Sequence, residues 1–337
     1  GKGRGGDCGK PAPEALHDLA GTPRLATLAP RIVATNAQEN VAPDFTVRNL
    51  WPPRLAPPNP SGSWVWYLPW EFYAIPTAWV QLINTHPPHG PSEVWAPTSF
   101  VKNGFVASGV NADKVAVIPH GVNKEELCNE DSWEKLVAAR KAAQPKVNDI
   151  LLEAGAARPC PSGSFIYFFH GGMLWRKGAD VMLDAFKELL SPTSSLATHK
   201  LCLVVHSIYG DSNVEKMLTT FITQHRDAPI VHLSKSLSQA QLSGLYRGVD
   251  ALVHPSRSEG FGLTIAEALS CGLPVISTGA GAVLDFISQD TAWLVPAVEE
   301  VCTKPPCSDD GSSVFRLPAP MKLTWHRSTP RQLADVM

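Results

Sequence analysis

Short apolar runs of strand length alternate with stretches of helical period through the second half of the chain, and this alternation predicts a parallel sheet wrapped by helices. The strands fall at 165–169, 201–205, 230–233, 251–253 and 273–277, with helices at 179–190, 214–225, 238–248 and 263–270 between them. These strands are mostly apolar rather than alternating, as expected of strands covered on both faces. Gly272 and Pro274 stop the last of the helices. The first half is less regular. Its strands are expected at 64–68, 93–96 and 114–118, with one helix at 99–108 that ends on Gly109, and a proline-dense loop at 51–62 leads into the first of them. Residues 124–163 have the composition of a connector, with a helical piece at 132–143 and a turn-rich end at 158–163. Residues 330–337 read as the start of a last helix. Residues 1–30, heavy in Gly, Pro and Ala, read as a loose terminus. The six residues Gly1 to Gly6 fit the dinucleotide-binding spacing, but with no strand expected before them they are expected to be a disordered tail.

A chain of 337 residues with 44% hydrophobic content can bury two cores. The 29 basic and 31 acidic residues leave a net charge of −2, which gives no electrostatic ground for nucleic acid or an anionic membrane as partner. No run approaches the roughly 18 apolar residues of a transmembrane segment. Seven cysteines, an odd number with only Cys302 and Cys307 close together, are expected as free thiols in a cytoplasmic protein.

Two loops carry the chemistry. The first, His254-Pro-Ser-Arg-Ser-Glu259-Gly-Phe-Gly-Leu-Thr-Ile-Ala-Glu267, runs from a strand end through a glycine-rich turn into a helix. Gly260 and Gly262 permit sharp turns and close ligand approach, and free amides at the helix start face an anion. The second, His170-Gly171-Gly172-Met-Leu-Trp-Arg176-Lys177-Gly178, lies between a strand and an amphipathic helix and is cationic. Arg176 supplies a planar fork and Lys177 a point charge for a diphosphate, and the paired glycines leave room for a ligand against the backbone. A phosphate clamp on one loop and carboxylates for hydroxyls on the other suit a sugar joined to a nucleotide.

These residues resemble a known family. The Glu259-x7-Glu267 spacing, Arg176-Lys177-Gly178, Pro119-His120-Gly121-Val122-Asn123 and Pro274-Val275-Ile276 are together similar to the retaining nucleotide-sugar glycosyltransferases of family 4, over about residues 45–300. Trp51-Pro52-Pro53 and Pro69-Trp70-Glu71-Phe72 resemble a subgroup of them. The resemblance implies an α/β protein of the GT-B fold, two Rossmann-like doubly wound parallel-sheet domains facing a cleft. It divides the chain into an acceptor-side domain at 1–140, a linker at 141–163, a nucleotide-sugar-binding domain at 164–300 and a tail at 301–337 that crosses back to the first domain. The acceptor-side domain is expected to be incomplete, because residues 1–45 hold no strand followed by a glycine-rich loop.

By that resemblance Arg176 and Lys177 neutralise the leaving diphosphate, Glu259 faces the donor sugar and Glu267 binds the ribose. Gly171 and Gly172, with the backbone of Gly260, Phe261, Gly262 and Leu263, contact donor phosphate and hydroxyls, and Thr264 caps the helix start. Glu71 takes a catalytic or acceptor-binding place. The implied reaction transfers a sugar from a nucleotide donor to an unknown acceptor with retention. No metal or other cofactor is needed where two cations and a helix terminus stabilise the leaving group. The alternatives are hydrolysis or epimerisation of a nucleotide sugar, and a non-catalytic or decayed nucleotide-sugar-binding GT-B protein.

Other features have plainer readings. His120 shapes a turn, His86 and His89 lack a third ligand for zinc, and Ser212 caps the helix that follows it. The ten tryptophans serve packing rather than base stacking.

Overall fold

A computed structural model describes residues 45–49, 55–57, 63–225, 227–303 and 322–337. The glycine motif at 1–6 and the Trp-Pro-Pro segment at 51–53 lie outside them. Two parallel sheets organise the chain. The first has the order β1 (Phe45–Arg48), β2 (Ser63–Tyr67), β3 (Glu93–Ala96), β4 (Val115–Val117), with α1 (Thr77–Asn84) and α2 (Ser99–Ala107) in its connections. Its core is built on tryptophan. Trp64, Trp66, Trp70 and Trp79 are nearly or fully buried, and the Trp79 ring lies 5.8 Å from Trp66 and 4.9 Å from Trp70. Such large side chains fill a four-stranded sheet with few residues.

The chain then passes through a one-turn helix, α3 (Lys124–Leu127), and two helices, α4 (Trp133–Ala143) and α5 (Val147–Glu153). This stretch, expected as a connector, packs on the second sheet: Leu127, Leu136, Val147 and Leu151 are buried there, and Arg140 donates to the carbonyls of Tyr246 and Val249. A pattern with few apolar positions concealed how much of it is core.

The second sheet comprises β5 (Phe165–His170), β6 (Leu201–His206), β7 (Ile230–Leu233), β8 (Ala251–His254), β9 (Val275–Thr278) and β10 (Trp293–Val295). Helices α6 (Ala179–Leu189), α7 (Ser212–Gln224), α8 (Gln239–Gly248) and α9 (Leu263–Ser270) connect its strands. The strand order is β10-β9-β8-β5-β6-β7, all parallel. The chain thus builds outward from β5 to β7, returns, and builds the other way from β8. The crevice between the carboxyl ends of β5 and β8 is where the order reverses, and both chemistry-bearing loops leave the sheet there.

An antiparallel pair, β11 (Val298–Val301) and β12 (Thr324–Arg327), follows, then α10 (Pro330–Val336). Cys302 and Trp325 join the first core, whereas Leu333 and Ala334 of α10 join the second and pack beside α6. The last segment therefore touches both sheets.

Two sequence expectations are corrected. The five cysteines among the described residues are not free thiols: Cys128 is bonded to Cys271 and Cys160 to Cys202, and Cys302 is also in a disulfide. Partners 143 and 42 residues apart meet only because the topology brings a connector turn to the end of α9 and a loop to β6, so spacing could not reveal them. The thiol argument for a cytoplasmic location falls with this. In addition, α7 is capped by Asp211, whose carboxylate accepts from the amides of Asn213 and Val214, and Ser212 is its first residue. No helix among the described residues is long and apolar enough to cross a membrane.

Candidate active site

The loop after β5 brings Arg176 and Lys177 under the loop after β8. Lys177 Nζ lies 2.6 Å from Glu259 Oε1, and Arg176 Nη1 lies 3.4 Å from Glu259 Oε2 and 2.9 Å from the Ser258 carbonyl. Ser256 Oγ donates to Glu259 Oε1 at 2.8 Å, and His254 Nε2 stands 3.6 Å from that oxygen. Burial alone would raise the Glu259 pKa, but Lys177 and Arg176 overcome it and hold the carboxyl well below the usual range. Burial would lower the Arg176 pKa, and Glu259 and Glu71 reverse that too. His254, almost wholly buried, is pushed down to about 4 by burial and stays neutral beside the carboxylate.

The first sheet reaches the same point. Glu71, just beyond β2, pairs with Arg176 Nη2 at 3.1 Å, and its carbonyl accepts from Ser258 Oγ. Thr98 Oγ1 donates to the Gly260 carbonyl at 3.0 Å, and the Ser99 amide donates to Asp285. A Cβ on Gly260 would lie 3.0 Å from the Trp70 carbonyl oxygen, so a side chain there would crowd the segment that carries Glu71. Arg176 and Lys177 face Glu71 and Glu259, so their formal charges cancel. The arriving charge of a diphosphate would have to be met by redistributing these pairs.

The remaining predicted residues divide. Gly262, at φ 98°, is the N-cap of α9 and forms no side-chain cap. Thr264 makes no cap bond, and the amides of Leu263 and Thr264 have no acceptor among the described residues, leaving two donors aimed out of the helix start. Phe261 stacks on Phe286 and meets His120 edge-on at 5.2 Å; His120 Nδ1 lies 3.0 Å from the Tyr67 hydroxyl, which fixes the turn after β4. Gly171 is open, with nothing within 4 Å of a notional Cβ, but Gly172 is covered by Tyr209, whose ring a Cβ would meet at 2.4 Å. Only the first of the two glycines leaves open space for a ligand. Glu267 lies one helix turn beyond the loop and accepts from the Tyr246 hydroxyl at 2.7 Å. No group of three or more His, Cys, Asp or Glu among the described residues could hold a metal.

Sequence reasoning missed Arg257. Its guanidinium takes both oxygens of Asp180 at 2.7 Å, donates to the Trp175 carbonyl at 2.6 Å and lies over the Trp325 ring. It therefore locks the loop after β5 to the loop after β8 and to β12. The signal was present in outline, an acid two residues after Gly178 and an arginine two residues before Glu259, but nothing in the spacing paired them.

Residues 156–300 match the family model described as glycosyl transferases group 1. The matched segment is similar to that family. The group 1 segment contains both loops, from Gly171 to Glu267. A D-inositol 3-phosphate glycosyltransferase of Nocardiopsis dassonvillei is 31% identical over 188 residues, covering 56% of this chain and 39% of the relative. Another of that name from Catenulispora acidiphila is 29% identical over 130 residues, covering 38% and 31%. The chain thus spans well under half the length of these curated relatives. Among solved structures, a glycosyltransferase from Rickettsia africae superimposes with TM-score 0.53 at 19% identity over 86% of this chain and 69% of that one. HepE from Anabaena, solved with UDP and glucose, gives TM-score 0.50 at 20% identity over 70% of this chain and 58% of that one. The fold around the group 1 segment is GT-B, as the sequence implied.

Proposed function

We propose that the chain is a glycosyltransferase that moves a sugar from a nucleotide-sugar donor to an acceptor with retention of anomeric configuration, without a metal. In this reading residues 164–300 hold the donor and the first sheet carries the acceptor side. The observation that carries it is the cluster of Arg176 and Lys177 on Glu259 at the switch point of the second sheet, closed by Glu71 from the first. Breaking a glycosidic bond to a diphosphate puts negative charge on the leaving group and oxocarbenium character on the anomeric carbon. Arg176, Lys177 and the free amides of α9 meet the first of these, and Glu259, held ionised by its cationic neighbours, meets the second with Glu71 beside it. Glu267 binds the ribose. The UDP bound to HepE and the names of the group 1 relatives support a nucleotide-sugar donor.

The test is calorimetric titration of UDP-, GDP- and ADP-sugars in EDTA against the wild type and an Arg176→Ala, Lys177→Ala variant. One donor should bind the wild type, and removal of two charge-assisted contacts should weaken it by roughly 100-fold or more. Retention is then read from the anomeric signal of the product by NMR once an acceptor is found. A folded wild type that binds no nucleotide sugar would refute the proposal, and binding restored only by a divalent ion would refute its metal-free part.

A further inference from the structure

Tyr246 sits in the last turn of α8 with no exposed surface, and its ring is held edge-on between Phe168 (5.9 Å) and His170 (6.1 Å) of β5. A phenol has only two side-chain torsions, so this clamp fixes the hydroxyl in space. The hydroxyl meets Glu267 Oε2 at 2.7 Å. Burial holds the Tyr246 pKa well above 10, with Glu267 adding to the effect, so the phenol is neutral and acts as donor. Burial raises the Glu267 pKa and the bond from Tyr246 opposes it. Glu267 Oε1 makes no hydrogen bond among the described residues and is not a buried orphan, so it keeps contact with solvent. One oxygen of the carboxylate is thus anchored and the other is left to a ligand.

We propose that Tyr246 is a positioning residue for the nucleotide ribose: its hydroxyl anchors Glu267 Oε2, so that Oε1 accepts from a ribose hydroxyl in a fixed geometry. The inference rests on the reading of Glu267 as the ribose ligand. An unanchored glutamate would have to freeze its own rotamers on binding and would choose less sharply between a ribose and a sugar without hydroxyls. Tyr246 never touches the ligand. Its effect is confined to nucleotides that carry the ribose hydroxyls.

The experiment compares UDP, ADP and GDP with their 2′,3′-dideoxy counterparts by calorimetry, for the wild type, Tyr246→Phe and Phe168→Leu. For the diphosphate that binds best, the wild type should prefer the ribose form by roughly 10- to 100-fold, the value of a hydrogen bond to a charged group. Tyr246→Phe keeps the ring and its packing, and should reduce that preference to within about 3-fold while leaving the dideoxy affinity unchanged. Phe168→Leu loosens the same packing without removing the hydroxyl; it should lower the melting temperature and retain most of the preference. A wild-type preference that persists intact in Tyr246→Phe overturns the positioning role and leaves the ribose reading standing. A wild type with no preference overturns both. Loss of preference in Phe168→Leu as large as in Tyr246→Phe would make Tyr246 a packing residue and also overturn the proposal.

Discussion

Arg257 shows how much a single buried charge can organise. It is 6% exposed, yet its guanidinium is met by a bidentate carboxylate, a backbone carbonyl and an indole face, all from segments distant in sequence. The residue beside it in the chain, Ser256, donates to Glu259 Oε1 at 2.8 Å, so the stretch that Arg257 anchors also braces that carboxylate. Removing one member of a buried pair strands the other without water, which costs about 3–5 kcal/mol, whereas replacing both with apolar groups of similar size costs much less. Asp180→Ala should therefore lose roughly 3–5 kcal/mol in urea unfolding, and Arg257→Met with Asp180→Leu should recover most of it. Equal losses in the single and double variants would show that the pair is not the strut described.

At the scale of elements, strands β5 to β9 and the helices of the second sheet were legible because each is a mostly apolar run or an amphipathic stretch bounded by Gly, Pro or a cap. The helix at Leu263–Ser270 lies where the sequence put it, and the strand at Ile230–Leu233 has the same limits. The loops were legible because they sit at strand ends and carry charges no core would hold. What escaped is what depends on contacts far apart in sequence. The helix at Thr77–Asn84 and the short strands β1 and β10 to β12 have too few residues for a period to show. The Tyr246–Glu267 bond, the Arg257–Asp180 pair and the disulfides join positions that only the folded topology brings together. The disulfides carry their own prediction. Loop closure over 143 and 42 residues constrains the unfolded chain by about 5 and about 4 kcal/mol respectively, not additively since one loop encloses the other. Dithiothreitol should lower the urea midpoint accordingly. Alkylation followed by mass spectrometry of the unreduced, unfolded protein should leave Cys128, Cys160, Cys202 and Cys271 unlabelled; labelling of these four would contradict the pairing.

The whole molecule should be sensitive to mild acid. Burial, with the charges of His206, Lys177 and His254, pushes His170 down to about 3, and burial pushes His254 down to about 4. As pH falls through about 6.5 the unfolded chain takes up protons on both imidazoles while the folded one does not, so stability is full above that pH and is lost progressively toward pH 4. Each histidine contributes about 1.4 kcal/mol per pH unit across the window. Glu259, held low, acts in the same direction, because its contribution is present above its ordinary pKa and fades as pH falls. A thermal series should give a melting temperature steady from pH 8 to 7 and falling from 6.5 to 4.5; a flat profile would contradict the burial of neutral histidines. The two sheets also share more than a cleft. Gly260 lies so close to the Trp70 backbone that a Cβ would meet its carbonyl oxygen at 3.0 Å, a crowding that the turn carrying Glu71 would have to relieve by giving slightly. A descendant that gains a side chain at this glycine would therefore favour a compensating adjustment in the opposite turn, the one that carries Glu71 toward Arg176.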